Sequence, residues 1–171
     1  MARVLVIGYG NRLRGDDGVG IEAAERVAEL YRDEPQVRVL VVQQLVPELA
    51  SDMAEADFVL LLDAEAGDVA GMITRKEISA EPDRGSFTHQ FTPAALLGAA
   101  AALYGRAPAA VCLTMSAREF DLGEELSATI RDRLGEFTGA AQEIVAGWLE
   151  QGKKVVGCQA LDGNKNKSRL F

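Results

Sequence analysis

Val4-Leu5-Val6-Ile7-Gly8-Tyr9-Gly10-Asn11-Arg12-Leu13-Arg14-Gly15-Asp16-Asp17-Gly18-Val19-Gly20 decides the fold. A short apolar run bounded by glycine reads as a buried strand, and the alanine-rich stretch from Asp17 reads as a helix. Strand, glycine turn and helix in that order open an α/β sheet, whose ligands bind at the carboxyl edge where such turns lie. A turn that holds a nucleotide leaves the helix N-terminus free, because its N–H groups and dipole must meet a phosphate. Here Asp16 and Asp17 occupy that position. One N-cap side chain suffices for a helix, and Asp16 is read as that cap. A second aspartate is a poor helix former. The pair would repel a pyrophosphate and attract a cation, so the turn points to metal.

The rest of the chain extends the pattern outward from this unit. After the first helix, whose apolar face uses Ala24, Val27, Ala28 and Tyr31, a second buried strand runs from Val37 to Val42 and ends at Gln43-Gln44. A dinucleotide site wants an acid there for the ribose hydroxyls, and glutamines argue against one. Pro47 opens a short helix through Met53. Phe58 to Leu62 follows as the central strand, with Asp63 directly after it at the carboxyl edge. If this strand lies beside the first, Asp63 and Asp17 share one crevice. An isolated aspartate at such a place otherwise reads as a loop acid capping a turn.

Met72 to Ile78 alternates weakly, carries Arg75, Lys76 and Glu77, and reads as an antiparallel edge strand. The loop Gly85-Ser86-Phe87-Thr88-His89-Gln90-Phe91-Thr92-Pro93 holds the single histidine and ends in the Thr-Pro start of a helix reaching about Tyr104. A lone loop histidine reads by itself as a satisfied polar residue. Ala109 to Met115 is the last buried strand and Ser116 to Gly123 a connecting loop. From about Ser127 to Gln151 the stripe Leu126, Ile130, Leu134, Phe137, Ala141, Ile144 or Val145, and Trp148 recurs at steps of three and four, the mark of an amphipathic helix on one sheet face. The expected fold is a three-layer α/β/α sandwich around a mostly parallel sheet of about five strands. Residues 1–151 form the domain, and 152–171, where periodicity is lost, read as a flexible tail.

Composition bounds the partners. A chain of 171 residues makes one domain, and 26 acidic against 18 basic residues leave a net charge of −8 with no basic stripe. Nucleic acid and anionic membrane are poor partners for such a surface. No apolar run approaches a membrane span and no signal-peptide core precedes the first strand, so a cytoplasmic protein is expected. Two cysteines, Cys112 and Cys158, make neither a disulfide framework nor a zinc ribbon.

Absent motifs narrow the chemistry. One histidine excludes the paired-histidine zinc protease helix, no Gly-x-Ser-x-Gly elbow is present, and the P-loop lysine is missing. Cys112 sits in a buried strand and Cys158 in the tail, so neither suits a Cys-His nucleophile. What remains is Asp17, Asp63 and His89, each on a loop bordering the sheet. Two carboxylates within ~4 Å repel by about 4 kcal/mol at the effective dielectric near a protein surface, a penalty a divalent cation removes. Two oxygen ligands and one imidazole with open positions suit a catalytic metal that polarises a carbonyl or acidifies a bound water. A cation- or nucleotide-binding module without chemistry is a second reading of the same residues. A metal aminopeptidase or amidohydrolase is a third, though it would want more ligands.

Four segments in order carry a family resemblance: Gly8-x-Gly10-Asn11-x-Leu13-x-x-Asp16-Asp17-Gly18-Val19-Gly20, the Leu-Leu-Leu-Asp63-Ala strand end, His89-Gln90-Phe91-Thr92-Pro93, and Glu119-Phe120-x-x-Gly123-x-x-Leu126-Ser127. Together they resemble the hydrogenase maturation proteases over nearly the whole chain to about Leu149. The resemblance implies an endopeptidase that removes the C-terminal extension of a nickel-iron hydrogenase large-subunit precursor once nickel is in place. It implies that Asp17, Asp63 and His89 contact that nickel, and that the enzyme holds no tightly bound metal of its own. Many relatives carry glutamate where Asp17 stands, so the carboxylate here has less reach.

Overall fold

Apolar runs without alternation signal strands covered on both faces, and the chain supplies them at β1 (Val4–Tyr9), β3 (Phe58–Ala66) and β5 (Ala109–Ala117). The strand β2 (Val37–Val42), whose residues are all half-buried or exposed because it has a neighbour on one side alone, is not the buried strand that the sequence suggested. The charged segment β4 (Ile73–Ile78) completes the sheet. In this computed structural model, residues 2–81 and 91–162 are described, with side chains through 153. Helices α1 (Val19–Leu30), α2 (Leu49–Glu55), α3 (Pro93–Tyr104) and α4 (Ala128–Asp162) connect and cover the strands. The strand order is β2-β1-β3-β5-β4. Every pairing is parallel except that of β4 with β5. The α/β sandwich with an antiparallel edge strand is therefore as the sequence predicts.

Side chains of successive strand residues point to opposite faces, and each face has its own core. Val6, Leu60, Leu62, Leu113 and Met115 meet Ala23 and Val27 of α1 and Ile130, Leu134 and Phe137 of α4. Leu5, Ile7, Val59 and Leu61 meet Met53 of α2 and Leu96 and Leu97 of α3. Each such buried side chain contributes about 1.5–3 kcal/mol relative to exposure. Phe58 stacks on Trp148 with centroids 5.1 Å apart, tying α4 to the start of β3. Thr92 caps α3 by accepting from the Ala95 N–H at 3.1 Å, Pro93 takes the first helical position, and Gly105 closes the helix at φ 68°. The edge strand β4 exposes Arg75, Lys76 and Glu77, charges that discourage pairing with another chain.

Several boundaries differ from the sequence reading: α2 begins at Leu49, two residues after Pro47, and ends at Glu55 instead of Met53, and β5 continues past Met115 to Ala117. The first helix does not begin at Asp17: a 3-10 turn spans Gly15–Gly18 and α1 follows from Val19. The central strand does not stop at Leu62 but continues to Ala66, pairing with β5 through Ala66↔Ala117. The last helix does not end at Gln151 but continues to Asp162, and a Cβ on Gly152 would lie 2.4 Å from the Ala2 Cβ, a close approach of the helix to the chain's start at that one residue. Residues 163–171 lie outside the described part. Among the described residues no helix is long and apolar enough to cross a membrane.

Candidate active site

Consecutive strands leave β1 in opposite directions, to β2 on one side and across to β3 on the other. Such a switch point opens a crevice at the carboxyl edge. The crevice is deepened because β3 outruns its neighbour: pairing with β1 ends at Gly8↔Leu62, whereas pairing with β5 continues from Asp63↔Thr114 onward. Asp63 is thus the first β3 residue past the end of that ladder.

The glycine turn folds back over this place. A Cβ on Gly20 would lie 2.3 Å from the Leu62 carbonyl oxygen and 2.8 Å from that of Tyr9, so only glycine lets α1 approach the strand ends this closely. Gly10 has φ +138°, and a Cβ there would lie 2.0 Å from the Asp17 carbonyl oxygen. Asp17 Oδ2 accepts the Asn11 N–H at 2.8 Å, and Asn11 Oδ1 accepts the Leu13 N–H at 2.9 Å. The Asp17 carboxylate is part exposed and caps neither the 3-10 turn nor α1.

Asp16 does not cap its own helix either, which corrects the reading of that residue. It is fully buried and its carboxylate accepts the Ser127 N–H at 2.7 Å and the Ser127 hydroxyl at 3.0 Å, just ahead of α4. The capping chemistry is as expected, but it serves a different helix.

Asp63 is mostly buried beside Asp17. One carboxylate oxygen accepts the Ala64 N–H at 2.8 Å. Burial first, with Asp17 and Glu65 adding like charge, pushes its pKa up to about 6, against hydrogen bonds from the Tyr9 hydroxyl and the Ala64 N–H that favour the anion. Tyr9 is held as a neutral phenol by burial and by the Asp63 charge. Burial and Asp63 likewise push the Cys112 thiol up to about 12. That thiol is no nucleophile at neutral pH.

The sheet face packed on α2 and α3 changes character along the strands. Leu5 and Ile7 give way to Tyr9, Val59 and Leu61 to Asp63 and Glu65, and Cys112 to Thr114. Glu65 accepts from Thr114 Oγ1 at 2.9 Å and from Lys76 Nζ at 2.8 Å, and these two bonds lower its pKa. Sequence reasoning did not single out Tyr9, Glu65 or Thr114. The period of two running through Leu5, Ile7 and Tyr9 was the available signal for the first, and the β3–β5 register for the others. An open depression of about 450 Å³, lined by Gly67, Asp68, Arg118 and Phe120 among others, lies at the same strand ends.

The structure thus places Asp17 and Asp63 within electrostatic reach of each other at one strand edge. His89 lies outside the described residues. Among the described residues no group of three histidine, cysteine, aspartate or glutamate side chains is arranged to hold a metal ion. Asp17 and Asp63 are carboxylate donors that the crevice offers a cation, and the like charge that helps raise the Asp63 pKa is what a cation would relieve.

By sequence, no family model and no curated protein matches the chain. By structure it is similar to the [NiFe] hydrogenase maturation protease HycI from Thermococcus kodakarensis KOD1, at 23% identity over 85% of this chain and 93% of that one, with TM-score 0.67. The hydrogenase maturating endopeptidase HybD from E. coli follows, at 21% identity over 88% and 94% with TM-score 0.66. HybD from Thermococcus kodakarensis is similar at 24% identity over 83% and 98%, with TM-score 0.64. The chain has the fold that these three maturation proteases share.

Proposed function

We propose that this protein is an endopeptidase that removes a C-terminal extension from the precursor of a nickel-iron hydrogenase large subunit after nickel insertion. The observation that carries the reading is the approach of Asp17 and Asp63 at the β1/β3 switch point, where the Asp17 charge raises the cost of ionising Asp63. The shared fold and the four ordered motifs support it. Nickel enters as part of the substrate, with Asp17, Asp63 and His89 as its contacts from this chain. Bound there, it would polarise the scissile carbonyl or a water.

The chain's own contribution follows from its protonation states. With a pKa of about 6 before nickel arrives, Asp63 is ionised at neutral pH and able to join Asp17 in contacting the metal. Water adds to the carbonyl carbon, and the proton it gives up goes to the departing amine as the C–N bond breaks. No side-chain nucleophile is required, in keeping with the neutral Cys112 thiol. The reaction is assigned to the cytoplasm, whose reducing conditions suit the free, buried Cys112.

Incubation with nickel-loaded and nickel-free precursors, followed by mass analysis, tests the reading. The expected product is a precursor shortened at its C-terminus only when nickel is present. Equal cleavage without nickel, or full processing by the His89→Ala protein, would overturn it.

A further inference from the structure

Asp16 makes a full set of contacts that the proposed chemistry does not use. Its carboxylate takes both the N–H and the hydroxyl of Ser127. Its own N–H donates to the Glu119 carbonyl at 2.9 Å, the Gly15 N–H donates to Gly123 at 2.8 Å, and the Gly123 N–H donates to Leu13 at 3.0 Å. Arg14 adds a parallel bridge to Gly123 and a side-chain bond to the Phe120 carbonyl at 3.3 Å. The first motif and the fourth are therefore two halves of one clasp, closed by a carboxylate with no solvent exposure.

A buried carboxylate is costly unless charge-assisted hydrogen bonds replace its water. The start of a long helix supplies them, since its first N–H groups lack internal partners and its dipole favours an anion. Asp16 is thus anchored to the start of α4, the helix that spans the sheet face through Ile130, Leu134 and Phe137. Asp17 is the next residue of the same 3-10 turn, and its N–H bonds back to Arg14 at 3.2 Å. Anchoring one peptide unit of so short a turn leaves the next little freedom.

We propose that Asp16 and Ser127 are positioning residues that fix the Asp17 carboxylate at the crevice by fastening its turn to the beginning of α4. The proposal rests on the reading of Asp17 given above for its consequence in cleavage, but the fastening itself is measurable without any substrate. The Asn11 amide reports it, because that N–H donates to Asp17 Oδ2.

The test compares Ser127→Ala, Ser127→Thr and Asp16→Asn with a control, Ile130→Val, which loosens the first turns of α4 without touching the clasp. Amide hydrogen exchange at Asn11 is read in the protein alone, alongside global stability. Ser127→Ala is expected to speed Asn11 exchange by about tenfold beyond what its change in global stability explains, with Ser127→Thr restoring protection. Asp16→Asn, which keeps the volume but loses the charge, should behave like Ser127→Ala. In precursor cleavage the same variant should lose kcat by about tenfold or more at little-changed KM. Asn11 exchange that follows global stability alike in Ser127→Ala and Ile130→Val would overturn the proposal. Failure of the wild type to cleave any precursor would instead count against the proposed function, and the exchange result would stand apart from it.

Discussion

Asp63 shows how a single residue can be held in an unfavourable state for what it can then do. Its folded pKa of about 6 stands above the ordinary carboxylate value of 3.8, so between those pH values the folded protein keeps a proton that the unfolded chain has released. The stability contributed by this group is therefore full below about pH 4 and is lost as pH rises through 6. At neutral pH the cost is about 2–3 kcal/mol. Asp63→Asn is expected to raise the urea midpoint at pH 7.5 and to leave it nearly unchanged near pH 3.5, and a variant less stable than wild type at pH 7.5 would contradict this. Because the Tyr9 hydroxyl favours the Asp63 anion, Tyr9→Phe should raise the Asp63 pKa further in an NMR titration of its carboxyl carbon. An unchanged value would remove Tyr9 from the site. Asp17 and Asp63 were legible in the sequence from their places after apolar strands. Tyr9 was passed over because it stands between two glycines and reads as turn, although the period of two from Leu5 and Ile7 places it on the same sheet face.

At the level of elements, the crevice exists because β3 and β5 run on past the end of β1, and because glycines let α1 settle against the strand ends. Gly20→Ala places a methyl group 2.3 Å from a backbone carbonyl, and a backbone clash of that kind is expected to cost about 3 kcal/mol or more, within the range of strained core substitutions. Gly135, exposed on α4 with nothing within 4 Å of a built Cβ, should instead gain about 0.5–1 kcal/mol on change to alanine. Urea denaturation of the two variants checks both signs. The strands' existence could be read from apolar runs and the edge position of β4 from its charges, whereas β2, nearly as apolar as a central strand, was read as buried and stands at the other edge. Their ends could not: Asp63 and Glu65 alternate with Ala64 and Ala66, a pattern that reads as loop until the polar half of the sheet face is seen. Asp16 was misassigned for a related reason, since its partner Ser127 lies 111 residues away.

On the scale of the whole molecule, strand order 2-1-3-5-4 does what no local pattern can, bringing the turn after β1 and the tip of β3 to one place. The sequence reading made that adjacency a condition, and the parallel β1–β3 pairing meets it. With a net charge of −8, the chain concentrates two of its acids where a cation would lower their mutual repulsion. The most direct test of the account is a double-mutant cycle on precursor cleavage with Asp17→Asn, Asp63→Asn and the pair combined. If the two carboxylates act as one site, each single change abolishes processing about as completely as the double, as groups acting as a unit do. Independent, additive losses, or a single variant that processes nickel-loaded precursor at the wild-type rate, would contradict it.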